Sequence, residues 1–242
     1  MNNYKKLEAG RSMIEMLGVL AIIGVLSVGG IAGYSKAMNK FKTNKIADNV
    51  SMLVANIKTL YAQQNTYDGL NVQSAYSMGV VPDELVQKTY GTSEADKNTV
   101  KSVKLMNAFN GDVDIHVSGS TEATDKKAFV LAFSGISREA CITLATNDWG
   151  SGYSSGLIAI RASGESSTGT GTDATGADRL AIDGVFIGDP GTKLSGNTDT
   201  TVKAAVATPG GKNLSVPMSV VEAAQSCSCT KGNTCSLQWK YY

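Results

Sequence analysis

The sequence predicts an α+β protein in which a long N-terminal α-helix packs on an antiparallel β-sheet domain with short helices and disulfides. Three observations predict this class. An uncharged apolar run near the N-terminus leads, without a proline, into an amphipathic helical pattern. Short alternating or apolar runs typical of strands follow later in the chain. Four cysteines lie in the second half of the sequence, where they are available to cross-link the domain.

The first element is an apolar run that extends from Met16 to Ser35 and contains no charged residue. On a helix, about 20 residues span about 30 Å, the thickness of the hydrocarbon core of a bilayer. The run is longer than the core of a cleaved secretory signal, and no small-residue cleavage site precedes Lys36. It therefore predicts a membrane-spanning helix.

The charges in front of this run set its predicted orientation. Lys5, Lys6 and Arg11 outweigh the single acidic residue Glu8, and short basic flanks stay on the cytoplasmic side of a membrane. The chain is therefore expected to run N-in, C-out. Everything after Lys36 then lies in an extracytoplasmic space, where disulfides persist.

The four cysteines are Cys141, Cys227, Cys229 and Cys235. Four cysteines allow three fully paired connectivities, and the residues alone do not choose among them. A structural zinc site is the rival interpretation, but it favours cysteine pairs separated by two to four residues. Cys227 and Cys229 are separated by one residue, and the sole histidine, His116, is far away in sequence. No metal site is predicted.

The helix continues beyond the apolar run with one apolar face. Polar residues lie between apolar positions that recur at three- and four-residue steps, which are Ile46, Val50, Leu53, Ile57 and Leu60. No proline precedes Pro82, so one helix is expected from about Met13 to about Gln64. Its first half is apolar on all sides, and its second half is amphipathic. A turn is expected at 65–70, where Asn, Asp and Gly cluster.

The remaining pattern predicts short strands and helices separated by polar, glycine-rich loops. Strands are expected at 113–117, at 128–133 in the centre of the sheet, at 156–160 and at the C-terminal end from Cys235, with 179–188 returning to the sheet. Short helices are expected at 82–90, at 137–145 with Ser137 as its cap, and at 216–226. Loops are expected at 163–178 and 189–213.

Composition argues against several classes of function. Lys and Arg total 22 and Asp and Glu total 21, so no basic excess indicates nucleic-acid binding. No nucleophile, base and orienting residue form a recognisable catalytic set, and His116 has no evident partner pattern. Asp148, Asp183 and Asp189 stand within two residues of a glycine and are interpreted as turn residues rather than calcium ligands. The protein is therefore not expected to be an enzyme or to hold a cofactor or a metal ion.

A basic leader ends at Gly10 and is followed by Arg11 and then, within the hydrophobic helix, by Glu15. This arrangement resembles type IV prepilins. The resemblance implies that a membrane peptidase cleaves between Gly10 and Arg11 and methylates the new amino group of Arg11. It divides the chain into a leader, 1–10, a transmembrane and filament-core helix, 11–35, an amphipathic continuation, 36–64, and a globular pilin domain, 65–242.

Further segments are similar to type IVb pilins, the subclass of bundle-forming and toxin-coregulated pilins. They are YAQQNTYDGLN at 61–71, GVVPDEL at 79–85, SREACITLATNDWG at 137–150 and SVVEAAQSC at 219–227. The resemblance implies a disulfide between Cys141 and Cys227. Cys229 and Cys235 then close a small additional loop, while pairing of Cys141 with Cys229 stays an alternative.

A role for Glu15 follows from the same resemblance. A carboxylate within an apolar segment is costly and is usually paired. In a filament, Glu15 of one subunit is expected to neutralise the α-ammonium group at Arg11 of its neighbour and so to set the axial register. The alternative is a pair within one chain, because Arg11 and Glu15 stand at an i, i+4 spacing.

The function implied is that of a structural subunit, polymerised through its N-terminal helix into a helical surface filament for adhesion, aggregation or motility. Its expected partners are copies of itself, a prepilin peptidase, an inner-membrane assembly platform and minor pilins. The precursor is expected in the inner membrane and the assembled subunit in an extracellular pilus. Two alternatives remain, a pseudopilin of a type II secretion system and a membrane-anchored periplasmic binding domain.

Overall fold

The computed structural model describes residues 5–90, 100–150, 155–164, 182, 186–187, 201–204, 218–227, 229 and 234–242. The chain divides into two compact units, Met1–Lys42 and Thr43–Tyr242. Helix α1 comprises Lys5–Tyr61, which is 57 residues, and it supplies the first unit and the beginning of the second. The predicted uninterrupted helix is thus confirmed, with an end three residues before the predicted Gln64.

The second unit is built on one seven-stranded sheet in which every described pairing is antiparallel. The strand order is β1-β2-β3-β4-β7-β5-β6. The strands are β1 (Val86–Tyr90), β2 (Val100–Met106), β3 (Asp112–Ser118), β4 (Ala128–Ile136), β5 (Leu157–Gly164), β6 (Thr201–Ala204) and β7 (Cys235–Tyr241). The strands predicted at 113–117, 128–133, 156–160 and the C-terminal end are confirmed, and β4 lies at the centre as expected.

The core of this unit lies where the amphipathic part of α1 meets the middle strands. Ile46, Val50, Leu53 and Ile57 are fully buried and belong to the same hydrophobic cluster as alternate side chains of β4. These α1 positions are spaced by three or four residues, so they form one helix face. Every residue of β7 is buried, because this strand is covered on both faces of the sheet.

Three short helices accompany the sheet: α2 (Val72–Ser77), α3 (Arg138–Ala145) and α4 (Val220–Ser226). The Oγ atom of Ser137 accepts a hydrogen bond from the N–H of Ala140, which confirms the predicted cap of α3. The helix predicted at 216–226 is present as the shorter α4, which begins after Ser219.

The helix predicted at 82–90 is wrong over most of its length. A single 3-10 turn, Asp83–Leu85, follows Pro82, and the chain then continues as β1. Val86 and Thr89 are β-branched, and β1 pairs with β2 along its whole length, so pairing overrides the local helix-start signal. Neither α2 nor β2 was expected, and β6 lies inside the predicted loop 189–213. The predicted loop 163–178 is wrong at 163–164, which belong to β5, and its remaining residues and nearly all of the strand predicted at 179–188 lie outside the described residues.

Candidate functional site

The apolar part of α1 presents an unusual surface. Every described side chain from Met13 to Ala37 is exposed, and Glu15 and Lys36 are the charged residues among them. Within the described part of the chain, one helical segment, Met13–Tyr61 of α1, is long and apolar enough to cross a membrane, with a mean hydropathy of 2.2 over its most apolar stretch. Such a surface is stable in a bilayer or against other apolar helices, but not in water.

Glycines are spread along this exposed segment, at Gly18, Gly24, Gly29, Gly30 and Gly33. A Cβ atom added at any of them would meet nothing within 4 Å. No packing within the described chain therefore explains the missing side chains. Small residues on an apolar helix allow the backbone of a second helix to approach closely. The segment is thus suited to contacts with neighbouring helices.

Gly10, Arg11 and Glu15 all lie on α1, inside one continuous helical stretch. Arg11 precedes Glu15 by four residues, a spacing that places both on the same helix face. Glu15 is exposed at the edge of the uncharged run. Both the role of Glu15 in subunit register and the cleavage after Gly10 stay predictions, because a single chain tests neither.

Two disulfides cross-link the second unit. Cys141 on α3 is bonded to Cys227, which directly follows α4, and the two residues are 86 positions apart. Cys229 is bonded to Cys235 at the start of β7, across a separation of 6 positions. All four sulfur atoms are therefore oxidised, and they offer no thiolate to a metal ion.

Local sequence positions the helices that carry the long-range disulfide. A capping box begins α4, in which the Ser219 Oγ accepts from the N–H of Glu222 and the Glu222 carboxylate accepts from the N–H of Ser219. The N–H of Met218 donates to the carbonyl of Ala145 at 3.2 Å, at the end of α3. Arg138 donates to the carbonyl of Ala224 at 3.3 Å. These bonds hold α3 and α4 side by side, so that Cys141 and Cys227 meet.

The end of α1 is fastened to the sheet by Lys58. Its Nζ atom donates to the carbonyl oxygen of Ser155 at 3.0 Å and lies 5.3 Å from the ring centroid of Tyr241 and 5.6 Å from that of Tyr242. Burial lowers the pKa of Lys58. The aromatic faces offset part of that cost through cation–π attraction. This ammonium group is structural, since it joins one helix to the beginning and end of two strands.

His116 has a carboxylate partner that the sequence analysis missed. Its Nδ1 atom lies 2.9 Å from Oδ2 of Asp114, and both side chains are buried. The two residues stand at i and i+2 on β3, and that spacing places them on one face of a strand. The two-residue period of a strand could have indicated from the sequence that Asp114 and His116 are neighbours. Both side chains are counted among the buried polar residues of the second unit, so the pair is interpreted as part of a buried polar face of the sheet.

The aspartates interpreted as turn residues and the aromatic side chains near the C-terminal end have structural roles where they are described. Asp148 accepts a hydrogen bond from the N–H of Gly150 at 2.9 Å, as a turn aspartate does. Asp183 and Asp189 lie outside the described residues. Trp239 and Tyr241 are buried in β7, where Trp239 contacts Trp149 and Phe133 edge to face. The aromatic end of the chain is therefore core.

Comparisons with known proteins agree with these features. The family model described as PilS N terminal matches residues 40–181. The major structural subunit of bundle-forming pilus from Escherichia coli O127:H6 (strain E2348/69 / EPEC) is 26% identical over 146 residues, which cover 60% of this chain and 68% of that protein. The corresponding subunit from Escherichia coli O111:H- is 25% identical over the same length.

Two solved structures are also similar. TcpA, a type IV pilin from Vibrio cholerae El Tor biotype, aligns with a TM-score of 0.49 and 19% identity, over 83% of this chain and 99% of TcpA. A type IV b pilin from Salmonella typhi aligns with a TM-score of 0.36 and 14% identity, over 78% of this chain and 93% of that pilin.

Proposed function

Because the chain belongs to the PilS N-terminal family of type IV pilins, we propose that it is a structural subunit of a type IVb-like pilus. Its relatives are named as major structural subunits of bundle-forming pilus. The observation that carries the proposal is the helical segment from Met13 to Ala37, whose described side chains are all exposed although nearly all are uncharged. Such a segment requires a cover that the described chain does not supply.

The size of this apolar surface indicates what covers it. Burial of one Val, Leu or Ile side chain contributes about 1.5–3 kcal/mol, and the segment exposes large apolar side chains on every side. A bilayer covers all sides of a single helix, and a bundle of identical helices does the same in a filament. The precursor is thus held in the membrane, and assembly exchanges lipid for the helices of other subunits. The glycines on this segment permit those helices to approach.

Processing prepares the helix for this exchange. A prepilin peptidase cleaves after Gly10, and this cleavage removes the basic leader from the end of the helix. The same enzyme methylates the new amino group of Arg11. An inner-membrane platform then delivers subunits to the filament, together with minor pilins. The precursor is oriented N-in, C-out, in agreement with the basic residues of the leader. The domain that follows the helix then becomes the surface of the pilus.

Glu15 sets the register between subunits. In the filament core its carboxylate pairs with the α-ammonium group at Arg11 of a neighbouring subunit. A subunit stacked at another height leaves both charges unpaired in an apolar surrounding, which costs several kcal/mol. Mis-stacked subunits are therefore rejected. An i, i+4 pair of Arg11 and Glu15 in one chain competes with this contact, but an exposed pair of that kind contributes only about 0.2–0.5 kcal/mol.

The register role is tested by Glu15→Ala, with Asp48→Ala as the matched control. Asp48 is an exposed carboxylate on the same helix, beyond the apolar segment. Glu15→Ala is expected to leave cleavage after Gly10 intact and to abolish sheared surface filaments, whereas Asp48→Ala should form filaments as the wild type does. Normal filament yield from the Glu15→Ala strain would contradict the register role.

The subunit role itself is tested on the wild-type chain. Filaments are sheared from cells, and intact-mass and N-terminal peptide spectrometry identify the chain in them. An abundant species that starts at methylated Arg11 is expected. A chain that still begins at Met1 and remains in the membrane fraction would instead favour a membrane-anchored binding domain. A processed chain found only in short periplasmic assemblies would favour a pseudopilin.

A further inference from the structure

The two disulfides of the second unit are neighbours in space. The Sγ atoms of Cys141, Cys227 and Cys235 all lie within 4.8 Å of one another. Cys141 and Cys227 form one disulfide, whereas Cys235 belongs to the other. A sulfur atom of the short-range disulfide therefore stands beside both sulfur atoms of the long-range one. Cys229 is not a member of this set of three.

The four cysteines differ in their access to solvent. Cys141, Cys227 and Cys235 are completely buried, while Cys229 retains 8% of its surface. The Cys229 sulfur also lies 3.9 Å from the carbonyl oxygen of Cys227. Cys229 is therefore the one of the four cysteines that retains exposed surface, and a reductant from solution is expected to meet this residue first.

We propose that the Cys229–Cys235 disulfide is an exchange switch: while it is closed it holds the Cys235 sulfur inert, and when it opens Cys235 attacks the Cys141–Cys227 disulfide. Cys229 is then a protecting residue, because its bond to Cys235 preserves the connectivity of the long-range disulfide. The inference concerns the fold of the second unit, so it holds or fails independently of filament assembly.

The first step requires an external dithiol, such as a thiol–disulfide oxidoreductase or dithiothreitol. One thiolate of the dithiol attacks Cys229 Sγ, the Cys229–Cys235 bond breaks, and Cys235 leaves as a thiolate. The second thiol of the reagent then attacks the mixed disulfide and releases Cys229. The two electrons come from the dithiol, which becomes a disulfide, and the two cysteines end as thiols.

The second step is internal and needs no further reductant. The Cys235 thiolate attacks Sγ of Cys227 or Cys141, and the Cys141–Cys227 bond breaks as the new bond forms. The displaced cysteine leaves as a thiolate and takes up the proton that Cys235 lost. One disulfide is consumed and one is formed. The close approach of the three sulfur atoms makes this an intramolecular reaction with a high effective concentration.

The test compares two single variants of the full chain, purified in detergent. Cys229→Ser leaves Cys235 as a free thiol within the set of three close sulfur atoms, and Cys235→Ser leaves Cys229 as a free thiol that is not a member of that set. Each protein is incubated at a pH at which an ordinary thiol is partly ionised, and samples are alkylated and digested with trypsin without reduction. Cys141 then falls on peptide 139–161 and Cys235 on 232–240, while peptide 213–231 carries Cys227 and, except in Cys229→Ser, also Cys229.

In Cys229→Ser, linked peptides that contain 232–240 are expected to accumulate with time, while alkylated Cys235 and the native link between 139–161 and 213–231 both decline. In Cys235→Ser, fragmentation of the linked peptide should show that Cys141 stays bonded to Cys227 rather than to Cys229. Retention of the native link in Cys229→Ser would overturn the proposal. Equal rearrangement in both variants would also overturn it, because proximity would then not be the cause.

Wild-type protein provides a second measurement that does not depend on how a variant folds. It is treated with dithiothreitol for increasing times, alkylated and mapped in the same way. Chains with Cys229 alkylated and Cys235 linked to 139–161 or 213–231 are expected before the chains that lack every disulfide. If partial reduction gives only the native Cys141–Cys227 link beside alkylated Cys229 and Cys235, the exchange does not occur.

Discussion

Cys141 and Cys227, 86 positions apart in the sequence, are bonded to each other between two capped helices that are themselves hydrogen-bonded. A cross-link over a loop of this length lowers the entropy of the unfolded chain and stabilises the fold by about 4–5 kcal/mol in the chain-entropy model. The double variant Cys141→Ser/Cys227→Ser is therefore expected to lose stability on this scale. Both cysteines are replaced together so that neither remains as a free thiol.

The measurement is chemical denaturation of the full chain in detergent, followed by tryptophan fluorescence. Both tryptophans, Trp149 and Trp239, lie in the second unit and contact each other, so the signal reports this unit. The control is Cys229→Ser/Cys235→Ser, whose loop spans a separation of 6 positions and should contribute about 2 kcal/mol. Equal losses in the two double variants would contradict an argument based on loop length.

Asp125 closes a tight loop before β4. Its carboxylate accepts hydrogen bonds from the N–H groups of Ser120, Thr121 and Lys127 at 2.8, 2.8 and 3.0 Å, and from the Thr121 hydroxyl at 2.7 Å. An amide at this position has one acceptor oxygen and directs an NH2 group at these donors. Asp125→Asn is therefore expected to lower the free energy of unfolding by about 1–3 kcal/mol. The exposed neighbour Glu122 provides the control Glu122→Gln, for which a change within about 0.5 kcal/mol is expected.

The same loop predicts a dependence on pH. Burial alone raises the pKa of Asp125, but the hydrogen bonds from Thr121, Lys127 and Ser120 outweigh it and hold the pKa well below its ordinary value of 3.8. A carboxylate whose pKa is lower in the folded state contributes stability above its unfolded pKa and loses it as the pH falls further. The difference between wild type and Asp125→Asn should therefore be full near neutral pH and shrink below about pH 4. A difference that stays constant down to pH 2 would contradict this linkage.

Gly111 and Gly135 approach each other where β3 and β4 begin and end. A Cβ atom at Gly111 would overlap the carbonyl of Ser134 and the Cα of Gly135, and the amide of Asn107 donates to that same carbonyl at 2.7 Å. The obstacle is backbone, so it does not rotate away. Gly111→Ala is expected to destabilise the second unit by about 1–3 kcal/mol in the fluorescence assay. Gly18→Ala is the control, because nothing lies within 4 Å of a Cβ atom there; an equal effect of both would refute the overlap.

The sequence predicted elements whose signals are local. Ser137 was identified as a cap because a serine before an apolar helical run bonds to its own backbone, and the structure has this bond. The apolar face of α1 was predicted because its period of three and four residues lies within the sequence itself. By contrast, β1 and β6 form because they pair with other strands of the sheet, and a local sequence pattern does not predict such pairing. Pro82 even gave a valid local signal for a helix that the pairing of β1 then ended after one turn.

The candidate site divides in the same way. Glu15 and the apolar run were identified because both are features of one continuous stretch of sequence, an acidic residue at the edge of an uncharged segment. Three cysteine connectivities remained open from the residues alone, since pairing depends on how α3, α4 and β7 meet in space. The buried partner of His116 was missed although Asp114 stands two residues away. Residues at i and i+2 of a strand lie on the same face of the sheet, but whether that face is buried depends on the segments of the chain that pack against it.

Cleavage after Gly10 is a step of processing that can be tested separately from folding. A peptidase that recognises a glycine next to the cut requires a backbone without a Cβ atom there, so Gly10→Leu should trap a precursor that keeps residues 1–10. Gly18→Leu is the matched control, because it makes the same substitution farther along α1 and should be processed normally. Intact-mass spectrometry of the membrane fraction distinguishes the two forms by the mass of the leader. If Gly10→Leu still yields a chain that begins at Arg11, cleavage does not depend on this glycine and the predicted leader boundary is wrong.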